Sequence, residues 1–538
     1  MTITIRQALD SDAEGIRNIF SSAYGATYPY PQFYDTQSLK KMIFDDDTLL
    51  LVAEDDDNGQ LIGTASIIMD FGRYGDLVGE FGRLVVHPDG RRRGLGTMLM
   101  DERLAHAEGR LHVGLVENRV VHPFSQRISD AHGFHSVGFL PHKLSFNDRE
   151  SVAPYVRHFG QALQLRRNNP RVIPEAFALA ELALRNCGIT PDVIVDDEEP
   201  AYPQSDRYTL DCLTSDGYAS LFRLQRGRLA HREITGPARL SVGLFRLRAS
   251  HSTYLLAREE ERIVGAVGYT HSKIEKAVNV FELITADERP IRFLLAELER
   301  TCREELDADY VEIDVSAYSP RMQRTVLEMG FLPAAYLPAH VLHRAERRDA
   351  IRFVRIYVPF HAVPDTLHEA TLPMFRIVQR TFATREILPR VKAAIPNIDL
   401  FADLTGEQVR RLASSCRLVS FPAGRRIFTE GEADGNAYIL LDGRVEITLE
   451  GGAEDVGSVL EGECLGEMAL LNAAPHSASA TASTNVDAAV LSHEDFNTLV
   501  RRRPDIGVVV YRNLARGLGD KLHRLDVRVA GGKTKPIS

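Results

Sequence analysis

Residues 122–146 (HPFSQRISDAHGFHSVGFLPHKLSF) align without a gap on residues 319–343 (SPRMQRTVLEMGFLPAAYLPAHVLH), sharing Pro, Gln, Arg, Gly, Phe, Leu and Pro at corresponding positions. An ungapped repeat at that separation means that one folding unit is built twice, which restricts the architecture more than any composition figure. Upstream, residues 252–268 (STYLLAREEERIVGAVG) parallel the strand pair around residues 48–66, and Val280 to Ile284 stands where the first unit has Gly79 to Val86. The two units are therefore expected at 1–146 and 236–360, joined by a connecting subdomain at 147–235. That subdomain reads as helix-like over residues 152–165 and again over 174–186. A chain of 538 residues holds about three or four domains of ordinary size. The remainder divides into a helical linker at 361–392, a further domain at 393–528 and a tail at 529–538. The linker's helical periodicity fits a connecting arm and ordinary packing equally well.

Within the first unit, apolar runs at Thr48 to Glu54, Gln60 to Ile68 and Gly79 to Val86 read as successive strands, with turn residues at 55–59 between the first two. The third runs into His87-Pro88-Asp89-Gly90-Arg91-Arg92-Arg93-Gly94-Leu95-Gly96-Thr97, a strand-to-helix loop. Glycines at 94 and 96 let successive N–H groups converge on an anion, the helix start adds partial positive charge, and three arginines add more. Then come a helix from Gly96 to Ala107, a strand from His112 to Glu117, a helix from Pro123 to Ala131, and the break Gly133-Phe134 before a last strand.

This order, with Arg91, Gly94 and Gly96 in an Arg-x-x-Gly-x-Gly and the late Gly-Phe, resembles the GNAT superfamily of acyl-CoA-dependent N-acyltransferases over roughly the first 146 residues. The resemblance implies an α/β (α+β) fold in tandem. It also implies that an acyl-CoA, acetyl-CoA first among them, is held by Leu84, Val85, Val86, Arg91, Arg92, Arg93, Gly94, Leu95, Gly96 and Thr97. In the second unit the corresponding loop is Thr285-Ala286-Asp287-Glu288-Arg289-Pro290-Ile291, acidic and without glycine. Such a loop would repel a pyrophosphate, so that unit is expected to be a structural partner or an acceptor-side wall.

Acyl transfer to an amine needs a base, because an alkylamine of pKa near 10.4 is protonated at neutral pH and freeing it costs roughly 4–5 kcal/mol. Glu80 is the candidate, at the spacing from Arg91 that the general-base glutamate has in the protein-acetylating branch of the family. The alternative is a strand-end carboxylate paired with Arg83. For the leaving-group acid, many family members have a tyrosine where this chain has Ser129. His122, where the family often has asparagine, and Ser125 are further candidates, although helix-start positions also serve as caps.

Residues 393–528 resemble the cyclic-nucleotide-binding fold, a β-roll with flanking helices, through glycine-punctuated short strands at 422–432 and 437–445 and through Leu465-Gly466-Glu467-Met468-Ala469. The resemblance implies a nucleotide cassette at Gly466, Glu467, His476 and Ser477, with Glu467 on the ribose. The family's phosphate-pairing arginine is replaced by His476. Losing the partner of a desolvated charge costs roughly 2–5 kcal/mol, about thirtyfold to several thousandfold in affinity. Cyclic-nucleotide binding is thus expected to be weak, and docking or dimerisation is the alternative role.

A net charge of −10 gives no general attraction to nucleic acid or anionic membrane. No apolar run reaches the roughly 18 residues of a membrane span. Five scattered cysteines argue against a disulfide framework and against a zinc site. The expectation from the residues alone is that no helix-turn-helix accompanies the last domain and that the strand-like start is not a signal peptide. The expectation is a cytoplasmic N-acyltransferase with a C-terminal regulatory domain. It would act on a primary amine of a protein lysine or a small molecule, without DNA or membrane partners and with homodimerisation left open. The competing reading is a non-catalytic nucleotide- and CoA-sensing scaffold.

Overall fold

The computed structural model describes residues 2–45, 48–69, 76–146, 148–205, 207–213, 233–235, 252–360, 367–395, 398–449, 455–472 and 475–531. They form two compact units, Met1–Val378 and Gln379–Ser538.

The first unit contains two eight-stranded sheets. In one, β1 (Ile3–Gln7), β2 (Thr48–Asp55), β3 (Gln60–Met69), β4 (Val78–Val86), β5 (Val113–Arg119), β6 (His135–Ser136), β7 (Leu140–Ser145) and β8 (Arg149–His158) lie in the order β1-β2-β3-β4-β5-β8-β6, with β7 on β8. Leu49 to Ala53 of β2 are all buried, the continuous apolar run of a strand covered on both faces. Helix α1 (Ala13–Tyr24) buries Ile16, Ile19 and Phe20, one helical stripe, and ends at Gly25 with φ 61°. Helices α2 (Thr36–Ile43), α3 (Leu95–Ala107) and α4 (Phe124–Ala131) complete this copy.

A short parallel pair, β9 (Arg171–Val172) with β10 (Ile194–Val195), and helix α5 (Pro174–Asn186) follow. In the second sheet, β11 (Thr209–Cys212), β12 (Ile234–Thr235), β13 (Ser252–Glu259), β14 (Arg262–Ser272), β15 (Ala277–Thr285), β16 (Tyr310–Ser316), β17 (Leu332–His343) and β18 (Glu346–Ile356) take the order β11-β13-β14-β15-β16-β18-β17, with β12 on β16. Helices α6 (Ile291–Glu304) and α7 (Pro320–Glu328) match α3 and α4 in order. The repeat extends to backbone detail: His142 and Ala339, each after a Leu-Pro, both have positive φ, at 54° and 50°.

Both copies are longer than their sequence signals. Residues 152–158, the first half of the stretch 152–165 read as helical, belong to strand β8. Pro154 supplies no N–H, and the flanking Val152, Tyr155 and Val156 pack on a sheet. The second sheet starts at β11, ahead of residue 236, and residues 236–251 lie outside the described residues. The copies join edge to edge: Phe139 N–H donates to the Ala334 carbonyl at 2.8 Å and Tyr336 N–H to that of Val137 at 2.9 Å. Gly138 is required there, since a Cβ would stand 2.4 Å from that of Ala335. Lys143 bridges Glu117 at 2.6 Å and Glu312 at 3.0 Å across the junction, and Arg352 grips Asp314 through two bonds of 2.7 and 2.8 Å.

Helix α8 (Leu372–Ala394) covers most of the expected linker, whose residues 361–366 lie outside the described ones. The second unit has two four-stranded sheets. One contains β19 (Arg417–Phe421), β21 (Asn436–Asp442), β24 (Cys464–Leu465) and β26 (Val486–Ser492). The other contains β20 (Arg426–Phe428), β22 (Arg444–Thr448), β23 (Asp455–Leu460) and β25 (Ser479–Ala482). Helices α9 (Gly406–Ser414), α10 (Ala469–Asn472), α11 (His493–Arg502) and α12 (Pro504–Gly531) flank them, α12 running past the expected end at 528. Among the described residues no helix is long and apolar enough to cross a membrane.

Candidate active site

Strands β4 and β5 are parallel and pair only over Val78–Glu80 against Val113–Leu115; past Glu80 they part. On the other edge of β4 the ladder slips, with Val85 opposite Thr64 and Gly82 opposite Ser66, so that Arg83 and Leu84 together face one residue of β3. This is a β-bulge, with Arg83 at φ 51°. A bulge beside a parted strand pair turns unpaired backbone groups toward the gap. Leu84, Val85 and Val86 line the same stretch of strand.

At the end of β4, Arg92 (φ 64°) and Gly94 (φ 75°) both take left-handed conformations, and α3 starts without a side-chain cap. Its first N–H groups therefore remain available to an anion. Arg91 and Arg92 are exposed. Arg93 differs from expectation: it pairs with the nearly buried Asp55 at 2.9 Å and anchors the loop to β2. Gly96 also has another reason to be glycine, because a Cβ there would lie 2.7 Å from Ile128 Cδ1; it serves the close approach of α3 to α4.

Glu80 is about half exposed, at 49%, and its Oε1 accepts from Arg83 Nη1 at 3.0 Å. It does stand where β4 and β5 separate. Ser129 does not face the gap as an acid: it is 1% exposed and donates to Asn118 Oδ1 at 3.1 Å, because its place on α4 turns it into the sheet. His122 Nδ1 and Ser125 Oγ, at the entry to α4, are buried without hydrogen-bond partners.

An aromatic cluster stands near Glu80 and Arg83, which the sequence reading missed. Tyr28 has the rings of Tyr24 at 4.9 Å and Tyr30 at 5.2 Å, and Arg119 lies 4.0 Å over Phe146 while forming two 2.6 Å bonds to Glu150. Burial pushes the phenols of Tyr24, Tyr28 and Tyr30 upward, so all three stay neutral donors. The spacing Tyr24-x3-Tyr28-x-Tyr30 was the available signal. Glu275, from the turn between β14 and β15, closes this cluster: one oxygen takes the Tyr30 hydroxyl and the other the Ser145 N–H at 2.7 Å.

In the second copy, β15 and β16 likewise pair only over Ala277–Val280 and Tyr310–Ile313. The chain itself enters the gap there. Ile234 and Thr235 pair with Val315 and Asp314, Ser316 N–H donates to the Glu233 carbonyl at 2.8 Å, and both inserted residues are buried. The loop that follows is closed by an Arg289–Asp287 ion pair at 2.6 Å.

In the C-terminal unit, Gly466 has φ 72° and a Cβ there would lie 2.7 Å from the Asn436 carbonyl oxygen. His476 turns inward: it is 7% exposed, its Nε2 is 2.7 Å from Asp434 Oδ1, and its ring stacks on Phe428 at 3.7 Å. It is thus a packing residue whose charge, when present, is met by Asp434, and it does not replace the missing arginine. Ser477 is exposed, and Glu467 lines a cleft of about 400 Å³ with Glu463, Met468 and Leu514.

Residues 13–139 match a family model described as the acetyltransferase (GNAT) family, and residues 418–503 match one described as a cyclic nucleotide-binding domain. The cAMP-dependent protein kinase regulatory subunit of Emericella nidulans is 33% identical over 109 residues, 20% of this chain and 26% of that protein. The cyclic AMP receptor protein of Thermus thermophilus is 34% identical over 133 residues, 24% of this chain and 60% of that protein. This chain therefore spans about a quarter of the first relative's length and 60% of the second's. A solved structure titled a putative phosphinothricin N-acetyltransferase is 21% identical, with a TM-score of 0.26 over 30% of this chain and 99% of that one. The chain carries a GNAT acetyltransferase domain and a C-terminal cyclic nucleotide-binding domain, and the GNAT family uses acyl-CoA as co-substrate.

Proposed function

We propose that the first copy is an acyl-CoA-dependent N-acyltransferase, with acetyl-CoA as donor and a small-molecule primary amine as acceptor. The observation that carries this is the coincidence, in one copy, of parted β4 and β5, a bulge at Arg83 and an uncapped α3 behind Arg91 and Arg92. A phosphate-bearing donor is held at the α3 N-terminus. Bulge amides polarise the thioester carbonyl and meet the oxyanion, and Glu80 takes the amine proton. The deprotonated amine attacks the thioester carbon to form the C–N bond and the tetrahedral oxyanion; its collapse breaks the C–S bond, and the departing thiolate takes up the remaining N–H proton through water to leave as thiol. A small acceptor is favoured over a protein lysine because Glu275 of the second copy ties down the loop carrying Tyr30, walling the acceptor side.

Thiol release on mixing acetyl-CoA with a panel of small amines and with lysine peptides tests this. Turnover with small amines is expected; turnover with peptides alone would refute the acceptor class. Glu80→Gln should lower kcat about tenfold, less than the roughly hundredfold of a fully sequestered base, because water reaches this carboxylate. The deficit should narrow as pH rises and the amine deprotonates unaided. The second reading, an acyl-CoA sensor without turnover, draws on the Glu80–Arg83 ion pair, and binding without thiol release would establish it.

We infer that the C-terminal domain is regulatory. The cassette positions of Gly466 and Glu467 support a nucleotide ligand, and His476, turned inward onto Asp434 and Phe428, is not the group that would pair a cyclic phosphate. Calorimetry with cyclic AMP and cyclic GMP on the full chain tests this: binding of either is expected, and no binding of either would refute a nucleotide ligand.

A further inference from the structure

Arg103 of α3 faces the sheet and is 2% exposed. Its guanidinium donates to the carbonyls of Leu99 and Ser66 at 3.3 Å and of Gly82 at 3.4 Å, and to Met100 Sδ at 3.4 Å. The Phe81 ring lies 5.5 Å from Cζ. Among the described residues no carboxylate pairs with it, and burial pulls its pKa down with nothing to offset it. A leucine or methionine would pack there at far lower cost, since burying a charge without a counter-ion is strongly unfavourable.

The carbonyls it holds explain the arrangement. Ser66 and Gly82 are the last facing pair before the ladder slips, and the Ser66 hydroxyl also donates to the Gly82 carbonyl at 3.4 Å. The next residue, Arg83, has φ 51°, a left-handed conformation strained for a non-glycine residue. A trans peptide points its N–H opposite to its C=O. With the Gly82 carbonyl held on the β3 side, the Arg83 N–H is aimed into the gap between β4 and β5.

We propose that Arg103 is a positioning residue for acyl transfer: by pinning the Gly82 and Ser66 carbonyls it fixes the bulge and polarises the Gly82–Arg83 peptide, making its N–H a better donor to the developing oxyanion. The inference rests on the acyltransferase reading of the first copy.

Arg103→Met keeps the length and removes the charge. It should leave the thermal midpoint unchanged or higher, leave acetyl-CoA affinity and the amine KM within about threefold, and lower kcat about tenfold to a hundredfold, the scale of one lost oxyanion donor or somewhat less. Arg103→Lys, with one compact donor for two carbonyls, should lose about threefold to tenfold. Amide hydrogen exchange across residues 79–86 of the full chain gives a readout independent of activity and should accelerate in the Met variant. Wild-type kcat in either variant, unchanged exchange, or a kcat loss accompanied by lost stability and lost acetyl-CoA binding would overturn the assignment. Absence of turnover by the wild-type protein would instead refute the acyltransferase reading, and the exchange comparison would still decide the role of Arg103.

Discussion

Replacing both Arg91 and Arg92 by glutamate is expected to weaken acetyl-CoA binding about fourfold to a thousandfold. Each exposed charge contact is worth roughly 0.2–1 kcal/mol, and reversal removes two attractions while adding two repulsions, so the total is about 0.8–4 kcal/mol. The same change at Arg93 would act differently, by breaking its link to Asp55 and loosening the loop. Because Arg91 and Arg92 are solvent-facing, the loss should shrink as salt is raised from low to physiological ionic strength. Isothermal titration at two salt concentrations checks both points. It should also return one acetyl-CoA per wild-type chain, the second gap being filled by Ile234 and Thr235. Two sites per chain, or a charge reversal without effect, would show that the donor is held elsewhere.

Features legible in the sequence were those written within one local stretch. The strand, loop and helix from Gly79 to Ala107 depend on neighbouring residues, and the repeat at 122–146 and 319–343 depends on a pattern that survives divergence. The role of a glycine was less legible than its presence: Gly94 does hold a left-handed turn, whereas Gly96 is explained by Ile128 on another helix. His476 shows the same limit, since the sequence gives its identity but not the Asp434 and Phe428 that turn it inward. Strand β12 is two residues long and pairs with residues about eighty positions away, so no periodicity announces it. Arg103 would ordinarily be read as a solvated face of α3; only the bulged neighbour strand explains a buried guanidinium. Tyr24, Tyr28 and Tyr30 become a site only once Glu275 from the other copy is placed against them.

Asp349→Ala is expected to destabilise the first unit by about 3–5 kcal/mol, the cost of leaving a buried charge without its partner. Asp349 is fully buried and accepts from Arg166 Nε and Nη2 at 3.0 and 2.6 Å, from the Tyr336 hydroxyl at 2.6 Å and from the Ala339 N–H at 2.8 Å. The Ala339 N–H belongs to the left-handed residue that bends β17. In the first copy the matching amide, that of His142, is taken by the Ser151 hydroxyl at 3.1 Å, so each copy solves the same bend with a local acceptor. Removing the carboxylate therefore strands a phenol and a strained backbone N–H and leaves the guanidinium of Arg166 with only the less buried Asp192. Urea unfolding should show a lower midpoint with an unchanged slope. An exposed pair such as Arg185–Glu181, removed by Arg185→Ala, should cost under about 1 kcal/mol. Since β-strand hydrogen bonds cross from Phe139 to Ala334 and from Tyr336 to Val137, the copies should unfold together, and acetyl-CoA binding by the first copy should disappear at the same urea concentration as the structure of the second. Separate transitions, with binding retained after the second copy unfolds, would mean that the second copy is not the scaffold on which the first depends.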